Sequence, residues 1–378
     1  MKIKVCHFVN KITGKSDGVY THLKMIFKYV NNDKYQHYLV FQGNPAIEEE
    51  VAKLGVKVFS LPSLNKKFSI KTFIEFYSII KKQNIDIIHT HLIKPYSIGG
   101  IINILLKKKL IFNYNGLFIK NKYNTKFEQF LYKIIHIIIS FSHAVDEAIV
   151  PSKTSRDILY SETKLFPKIS VYYNGINENI DVKVDDKFSK MILNLRHKYL
   201  LVAVVARLDI QKRIDLALEI VKKVIKLNPK VYFIFAGDGV LETKMKNLAH
   251  NLLVESNVVF TGFIPNVKYY LKYFDLLLFT SDWEGFPLSI WESMASSVSI
   301  ISTDVGGIKD VLLQENCGLI FPKGDVDKGA DCVLELLEDE NKRIKMGANG
   351  KNAVINKYTS ESFASYFDNL YTDLLKRN

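Results

Sequence analysis

The sequence predicts an α/β protein made of two parallel-sheet domains in tandem, and three observations carry that expectation. Its 378 residues exceed what one ordinary core organises and fit two domains of roughly 150–200 residues. Short β-branched runs alternate with amphipathic helical segments from the first residues onward, the pattern of parallel sheets covered by helices on both faces. Near the middle, residues 177–198 are polar, charged and poor in apolar periodicity, which marks a linker.

Taken in order, the strands of the first sheet are expected at residues 3–9, 37–42, 56–60, 85–89, 110–113, 144–150 and 169–173, with helices such as 70–82 and 126–139 between them. A second sheet begins at 200–206 and continues through 231–236, 257–260, 276–280, 299–302 and 318–321. The last segment, 360–375, is apolar at helical spacing and is expected to cross back onto the first domain. The division is therefore 1–180 for a first domain, 181–198 for a linker, 199–358 for a second domain and 359–378 for a returning helix. Two similar units in tandem imply a cleft between them.

Composition narrows the class. An apolar content of 48% excludes a disordered chain, and no uninterrupted apolar run approaches the ~20 residues that span a bilayer. The start, MKIKVCHFVN, lacks the long apolar stretch and cleavage site of a signal peptide, so a cytoplasmic protein is expected. Cys6, Cys317 and Cys332 are too few and too scattered for a disulfide framework or a thiolate metal site and read as buried, inert thiols. Residues 1–190 hold 29 Lys+Arg against 16 Asp+Glu, whereas residues 191–378 hold 23 of each, so the whole net charge of +13 belongs to the first half. A basic surface attracts nucleic acid, an anionic bilayer or an acidic substrate. Aromatic-and-basic nucleic-acid signatures are absent, and no nucleic-acid partner is expected.

Several motifs fail on inspection. Gly14-Lys15-Ser16 follows a strand like the end of a phosphate-binding loop, but that loop needs a glycine five residues earlier, where Val9 stands. No Gly-x-Gly-x-x-Gly follows any strand, which weakens a dinucleotide-dependent dehydrogenase. Asp325-Val326-Asp327 follows Gly324 and opens a helix, so capping explains it better than a divalent metal does.

Two stretches in the second half are stronger. Residues 281–292, SDWEGFPLSIWE, follow an apolar strand at the place where open α/β sheets bind ligands. Gly285 lets the backbone approach a ligand, Pro287 suits the first helical turn, and exposed N–H groups at the helix start favour an anion or sugar oxygens. Glu292, one to two turns in, can accept two hydrogen bonds from a vicinal diol. Residues 205–213, VARLDIQKR, close another strand of the same sheet, and Arg207 with Lys212 can reach a diphosphate and neutralise charge growing on it, as a metal does elsewhere.

At these residues the second half resembles the donor domain of glycosyltransferase family four, the retaining transferases of GT-B fold. The likeness extends over Arg207…Lys212, residues 236–239, 261–265, Glu284…Glu292, 304–310 and 318–322. It implies two Rossmann-like domains facing each other across a cleft, with Glu292 on the ribose, Glu284 on the donor sugar, and Arg207 and Lys212 on the diphosphate. Gly285, Phe286, Pro287 and Leu288 would line the donor, and Phe263 with Ile264 would border the base. Ser297 and Ser299 stand where a Gly and a Pro are usual, and Asp310 replaces a common Glu.

The first half matches less closely. Asp17-Gly18 takes the place of paired glycines near the donor phosphates, although Asp17 can equally cap a helix beginning near Val19. Residues 86–91, DIIHTH, resemble a strand ending in a histidine near the reacting sugar. That role falls to His91, with His89 expected inside the strand. Asn115-Gly116 sits where a His-Gly pair is frequent and would meet acceptor or donor, while residues 173–176 resemble a structural Asn-Gly-Ile turn.

The resemblance implies transfer of a hexose or N-acetylhexosamine from a nucleotide diphosphate sugar, UDP-linked by expectation, to a glycan or polyprenyl-diphosphate-linked acceptor with anomeric retention. No metal and no cofactor are expected. The setting would be surface-polysaccharide synthesis, with residues 64–82 and Lys107-Lys108-Lys109 docking on the anionic inner face of the cell membrane. Competing readings are a catalytically silent partner of another transferase, or an epimerase or phosphorylase of related fold. Intact Arg207, Lys212, Glu284 and Glu292 argue against the first, and the lack of a pyridoxal-binding lysine context argues against a phosphorylase.

Overall fold

The computed structural model describes residues 2–14, 17–66, 69–114, 125–163, 165–176, 186–284 and 287–377. The chain divides into two compact units, Met1–Gly175 with Ser360–Asn378, and Ile176–Thr359.

The first unit alternates strand and helix: β1 (Ile3–Phe8), α1 (Gly18–Tyr29), β2 (Tyr35–Phe41), α2 (Pro45–Ala52), β3 (Lys57–Ser60), α3 (Ile70–Lys82), β4 (Ile87–His91), α4 (Ile93–Leu106), β5 (Lys109–Asn113), α5 (Lys126–Phe141), β6 (Glu147–Val150), α6 (Lys153–Thr163) and β7 (Ile169–Val171). The seven strands are parallel in the order β3-β2-β1-β4-β5-β6-β7. Strand residues alternate between two apolar layers, because successive side chains leave a strand on opposite faces. Cys6, Phe8, Tyr38 and Ile88 pack with Phe76, Tyr96, Ile102 and Ile139 from α3, α4 and α5. Val5, Leu39, Ile87 and Ile111 pack with α1 and α2 on the opposite face. That face also receives the C-terminal helix, whose Phe363, Phe367, Tyr371 and Leu374 are buried there.

The second unit runs α7 (Asp186–Arg196), β8 (Leu200–Val205), α8 (Ile214–Leu227), β9 (Val231–Ala236), α9 (Glu242–Asn251), β10 (Val258–Gly262), β11 (Leu276–Phe279), α10 (Leu288–Ala295), β12 (Ser299–Thr303), α11 (Ile308–Gln314), β13 (Gly318–Phe321), α12 (Val326–Glu338) and α13 (Glu340–Lys357). Helix α14 (Ser360–Lys376) then belongs to the first unit. The six strands are parallel in the order β10-β9-β8-β11-β12-β13, with α8, α9 and α12 supplying the largest core.

Sequence and structure differ at the expected linker. Residues 186–196 form α7, anchored by Phe188 and Ile192, which are buried one turn apart, and by an edge-on contact of Phe188 with Tyr270. Phe188, Met191, Ile192 and Leu195 stand at i, i+3, i+4 and i+7, the spacing of an amphipathic helix, but the polar and charged residues ahead of and between them give the segment the composition of a linker. Cys6 and Cys317 are buried as expected, but Cys332 is half-exposed on α12.

Candidate active site

In an open parallel sheet the chain reverses its winding direction at one place, and the crevice beyond the carboxyl ends of the two strands there is left uncovered by connections. In the second unit those strands are β8 and β11. The segments leaving them are the two stretches that the sequence singles out.

They are laced together. Thr280 Oγ1 donates to the carbonyls of Lys212 (2.9 Å) and Arg213 (3.1 Å), Asp282 N donates to the carbonyl of Gln211 (2.9 Å), and Gln211 Nε2 donates to that of Trp283 (2.7 Å). Arg213, with φ of 49°, pairs with Asp215 and reaches Asp282 at 3.1 Å. This lacing places Lys212 Nζ 2.5 Å from Glu284 Oε1, with the two side chains only 12% and 7% exposed. The ammonium also lies 5.3 Å from the centre of the Phe279 ring. A nearly dry ion pair is a poor source of stability, because desolvation offsets most of the attraction. It is well suited to chemistry, since an anion entering the crevice finds a cation already stripped of water.

Arg207 is the opposite case. Its side chain is 72% exposed and pairs with Asp209 at 3.0 Å, an exposed contact of the kind that contributes ~0–1 kcal/mol and exchanges readily for a stronger anion. Glu292 lies in the second turn of α10, half-buried, and burial pushes its carboxyl above the usual range while nearby Lys268 pulls it back. Such a carboxyl gains most from new hydrogen-bond donors. Pro287 is the N-cap of α10 rather than a first-turn residue, and Leu288 begins the helix. Phe263 (56% exposed) and half-buried Ile264 follow β10. Gly285 and Phe286 lie outside the described residues, as do Asn115 and Gly116.

The turn after β9 presses against the Arg207 loop. At Gly237, φ is +151° and a Cβ would stand 1.9 Å from the carbonyl oxygen of Ala206. Gly237→Ala is therefore expected to move residues 206–208 and to weaken nucleotide binding at least about tenfold, read by calorimetry; unchanged affinity would detach Arg207 from the site. Asp325 accepts from Lys328 N at 2.9 Å as the cap of α12, and Asp327 pairs with Lys223.

In the first unit the winding reverses between β1 and β4. Asp17 caps α1, accepting from Val19 N at 2.9 Å and from Thr13 Oγ1 at 2.9 Å, and Gly18 opens that helix with nothing within 4 Å of a would-be Cβ. Leu92, directly after β4, holds φ 69° and ψ 167°, a region that is essentially glycine's and costs on the order of 1–3 kcal/mol.

Beside that strained turn lies a group that single-position reading of the sequence misses. His7, His22, His37, His89 and His91 are all buried on the α1 and α14 face of the sheet. His7 and His89 are cross-strand neighbours in register. His7 meets His37 (3.2 Å) and His91 (3.3 Å); Asn113 Nδ2 meets His91 Nδ1 (3.3 Å) and His22 Nε2 (2.9 Å); His22 Nδ1 meets Asn174 Oδ1 (3.1 Å); and Tyr172 donates to Asn113 Oδ1 (3.1 Å). One assignment of protons satisfies this whole chain. The Asn113 amide donates to His91 and His22, His91 donates through Nε2 to His7 Nδ1, His7 donates through Nε2 to His37 Nδ1, and His22 donates through Nδ1 to Asn174. Every imidazole is then neutral, in agreement with burial holding all five well below the ordinary histidine range. The expected contrast between a buried His89 and an accessible His91 is absent, because both are fully buried and both nitrogens of His91 are engaged.

His7, His89 and His91 also offer ring nitrogens within 4.8 Å of one another, a spacing a metal can use. In this arrangement the facing nitrogens of His7 and His91 serve each other as donor and acceptor, and the His89 and His91 rings stack at 4.4 Å.

Known proteins match both halves. Residues 16–179 match the model of Glycosyltransferase Family 4, and residues 185–353 match that of Glycosyl transferases group 1. The UDP-Gal:alpha-D-GlcNAc-diphosphoundecaprenol alpha-1,3-galactosyltransferase of Escherichia coli is 24% identical over 99% of this chain and 98% of its own. The capsular polysaccharide biosynthesis glycosyltransferase CapM of Staphylococcus aureus is 22% identical over 82% of each chain. The fold is that of Anabaena HepE solved with UDP, at a TM-score of 0.81 and 17% identity over 99% of this chain and 100% of that one. With a family model on each half and a GT-B architecture of two Rossmann-like units, the chain belongs to the family-four glycosyltransferases.

Proposed function

We propose that the chain transfers a hexose or N-acetylhexosamine from a UDP-linked donor to a hydroxyl of a glycan or polyprenyl-diphosphate-linked acceptor, with retention at the anomeric carbon, in surface-polysaccharide synthesis at the inner face of the cell membrane. The observation that carries this reading is the buried Lys212–Glu284 pair at the β8/β11 crevice, with exposed Arg207 in the segment leaving β8 and Glu292 in the second turn of α10. In the proposed reaction the anomeric C–O bond to the diphosphate breaks, the acceptor oxygen bonds to the same face of that carbon, and the acceptor's proton passes to the departing phosphate oxygen. Lys212 and Arg207 stabilise the charge that grows on that leaving group. Glu284 loses its ammonium partner to the diphosphate and turns to the hydroxyls of the donor sugar, while Glu292 takes the ribose diol. His91 holds the end of β4 in place through His7 and Asn113 and so acts as a positioning residue.

The E. coli relative is named for a UDP-sugar donor and a diphosphoundecaprenol-linked acceptor, CapM for capsular polysaccharide, and HepE was solved with UDP. These names support the choice of donor, acceptor and setting. Two cations where a metal would otherwise serve support a reaction that needs none.

Incubation with a panel of nucleotide sugars should reveal slow hydrolysis of one UDP-sugar, insensitive to EDTA, and the anomeric coupling of the transferred sugar should match the donor's. Inverted coupling, or activity abolished by EDTA and restored by manganese, overturns the corresponding part of the proposal. Glu292→Ala is expected to weaken nucleoside diphosphate binding by roughly 2–4 kcal/mol, because the ribose diol loses a bidentate carboxylate. Wild-type affinity in a calorimetric titration would remove Glu292 from the ribose.

A further inference from the structure

We infer that the outer face of α5, with the adjoining faces of α3 and α4, is a membrane-insertion surface: it lies shallowly in an anionic bilayer and takes lipid hydrocarbon into the groove between the three helices. The inference deepens the membrane part of the proposed function and rests on that part alone, not on the transfer chemistry.

Helix α5 is built to stay folded while presenting apolar side chains outward. Its start carries a reciprocal cap, Thr125 Oγ1 accepting from Glu128 N at 3.2 Å and Glu128 Oε2 accepting from Thr125 N at 2.7 Å. Its inner face is fixed by Tyr132, His136 and Ile139. Tyr96 bonds to His136 Nδ1 at 2.8 Å, and Ile139 sits where a side chain on Gly100 would be, 2.4 Å from a would-be Cβ. On the opposite side Phe127, Phe130, Ile134, Ile138 and Phe141 recur at steps of three and four, one stripe of a helix. Phe127, Phe130 and Phe141 are 71%, 61% and 74% exposed. Three exposed phenylalanines on one short helix stand apart from the singly scattered apolar residues of an ordinary surface.

The neighbouring helices extend the same surface. Ile70 and Ile74 project from α3 and Leu105 from the end of α4, all exposed. Between α3, α4 and α5 opens a cavity of about 180 Å³, walled by Phe73, Ile101, Leu131 and Ile135 and bordered by Lys66 and Lys94. Lys94 is held beside it, donating to the carbonyls of Leu64 (2.6 Å) and Lys66 (2.9 Å). An apolar slot with ammonium groups at its rim matches a lipid, with hydrocarbon inside and phosphate at the edge.

Charge selects the occupant. Helices α3, α4 and α5 carry six lysines, at positions 71, 81, 82, 94, 126 and 133, against two glutamates. Those two are already engaged, Glu75 with Ser63 and Glu128 in the cap. Two copies of this chain meeting through the face would bring like charges together, whereas an anionic leaflet complements them. At 16 residues α5 is about 24 Å long, and no helix among the described residues is long and apolar enough to cross a membrane, so the helix lies in the interface. The face differs in part from the lysine clusters marked in the sequence: Lys109 turns inward to Asp146 and the carbonyl of Arg377.

The test uses the full chain with vesicles of phosphatidylglycerol or phosphatidylcholine and, separately, hydrolysis of a soluble UDP-sugar. Wild type should bind phosphatidylglycerol vesicles at least about tenfold better than phosphatidylcholine, and Phe127→Ser/Phe130→Ser/Phe141→Ser should lose at least about tenfold of that binding with donor hydrolysis unchanged. Phe130→Trp fluorescence should be quenched by lipids brominated along the acyl chain. Unaltered vesicle binding in the triple variant, or no quenching, overturns the inference. So does a wild-type dimer in sedimentation that the triple variant converts to a monomer, since the stripe would then be a protein interface. Because vesicle binding is read without catalysis, failure of the transfer reaction leaves this result intact.

Discussion

Lys212→Met is expected to lower kcat at least about 100-fold, the loss typical when a group stabilising transition-state charge is removed. The substitution also leaves the Glu284 carboxylate, 7% exposed, without its cation. Breaking a buried pair from one side costs roughly 3–5 kcal/mol, much of it desolvation of the survivor. A poorly active variant could then be merely a poorly folded one, and Lys212→Met/Glu284→Gln separates the two effects. Urea denaturation should show that removing both charges restores most of the stability. Turnover should stay down, since neither the leaving diphosphate nor the donor sugar regains its partner. Activity within about threefold of wild type in Lys212→Met, or activity that returns with stability in the double variant, would move the chemistry away from Lys212.

The two units were unequally legible in the sequence. In the second, each half of the candidate site is contiguous: Arg207 to Lys212 follows one strand, and Glu284 to Glu292 follows another and opens a helix. Local rules for strands, caps and helix starts act over such distances. The contact that joins them, Lys212 to Glu284, spans 72 positions and exists only because β11 pairs with β8 rather than with β10. That is a property of sheet order, which periodicity does not report. In the first unit the polar network draws one or two residues from each of β1, α1, β2, β4 and β5 and from the segment after β7. Each looks alone like a polar interruption of an apolar strand. The one available clue was parity: His89 and His91 share a face of β4, and His7 lies between Val5 and Val9 on their face of β1. The exposed stripe of α5 was visible as helical periodicity, yet sequence shows two apolar faces on this helix without saying which one meets the core.

The histidine network makes stability of the first unit steeply dependent on pH. In the folded state burial lowers His22 to about 4 and His37 to about 3 and holds His7, His89 and His91 well below the ordinary value of 6.5. In the unfolded chain all five titrate near 6.5. Between those limits the unfolded state binds more protons, so unfolding free energy rises with pH, and the stabilisation present above about pH 6.5 is lost as pH falls toward 4. His22 alone accounts for roughly 3 kcal/mol, and a few such groups rival the 5–15 kcal/mol that holds a domain together. Structure explains why the chain resists protonation. Its protons all point away from the Asn113 amide, with His91, His7 and His22 each accepting at one ring nitrogen and donating at the other, so an imidazolium at His7 would set its new N–H against the N–H of His91. Unfolding free energies from urea titrations between pH 7.5 and 5 should therefore fall by several kcal/mol per pH unit below about 6.5, well above the range where carboxylates titrate. Asn113→Asp supplies the control, because a carboxylate accepts from His91 and His22 where the amide donates, reversing the direction of the chain and favouring charged imidazoles. That variant should be less stable at pH 8 and show a flatter decline toward pH 5. A wild-type stability that stays level between pH 7 and 5, or a decline that Asn113→Asp leaves unchanged, would mean that the buried histidines do not govern the acid transition.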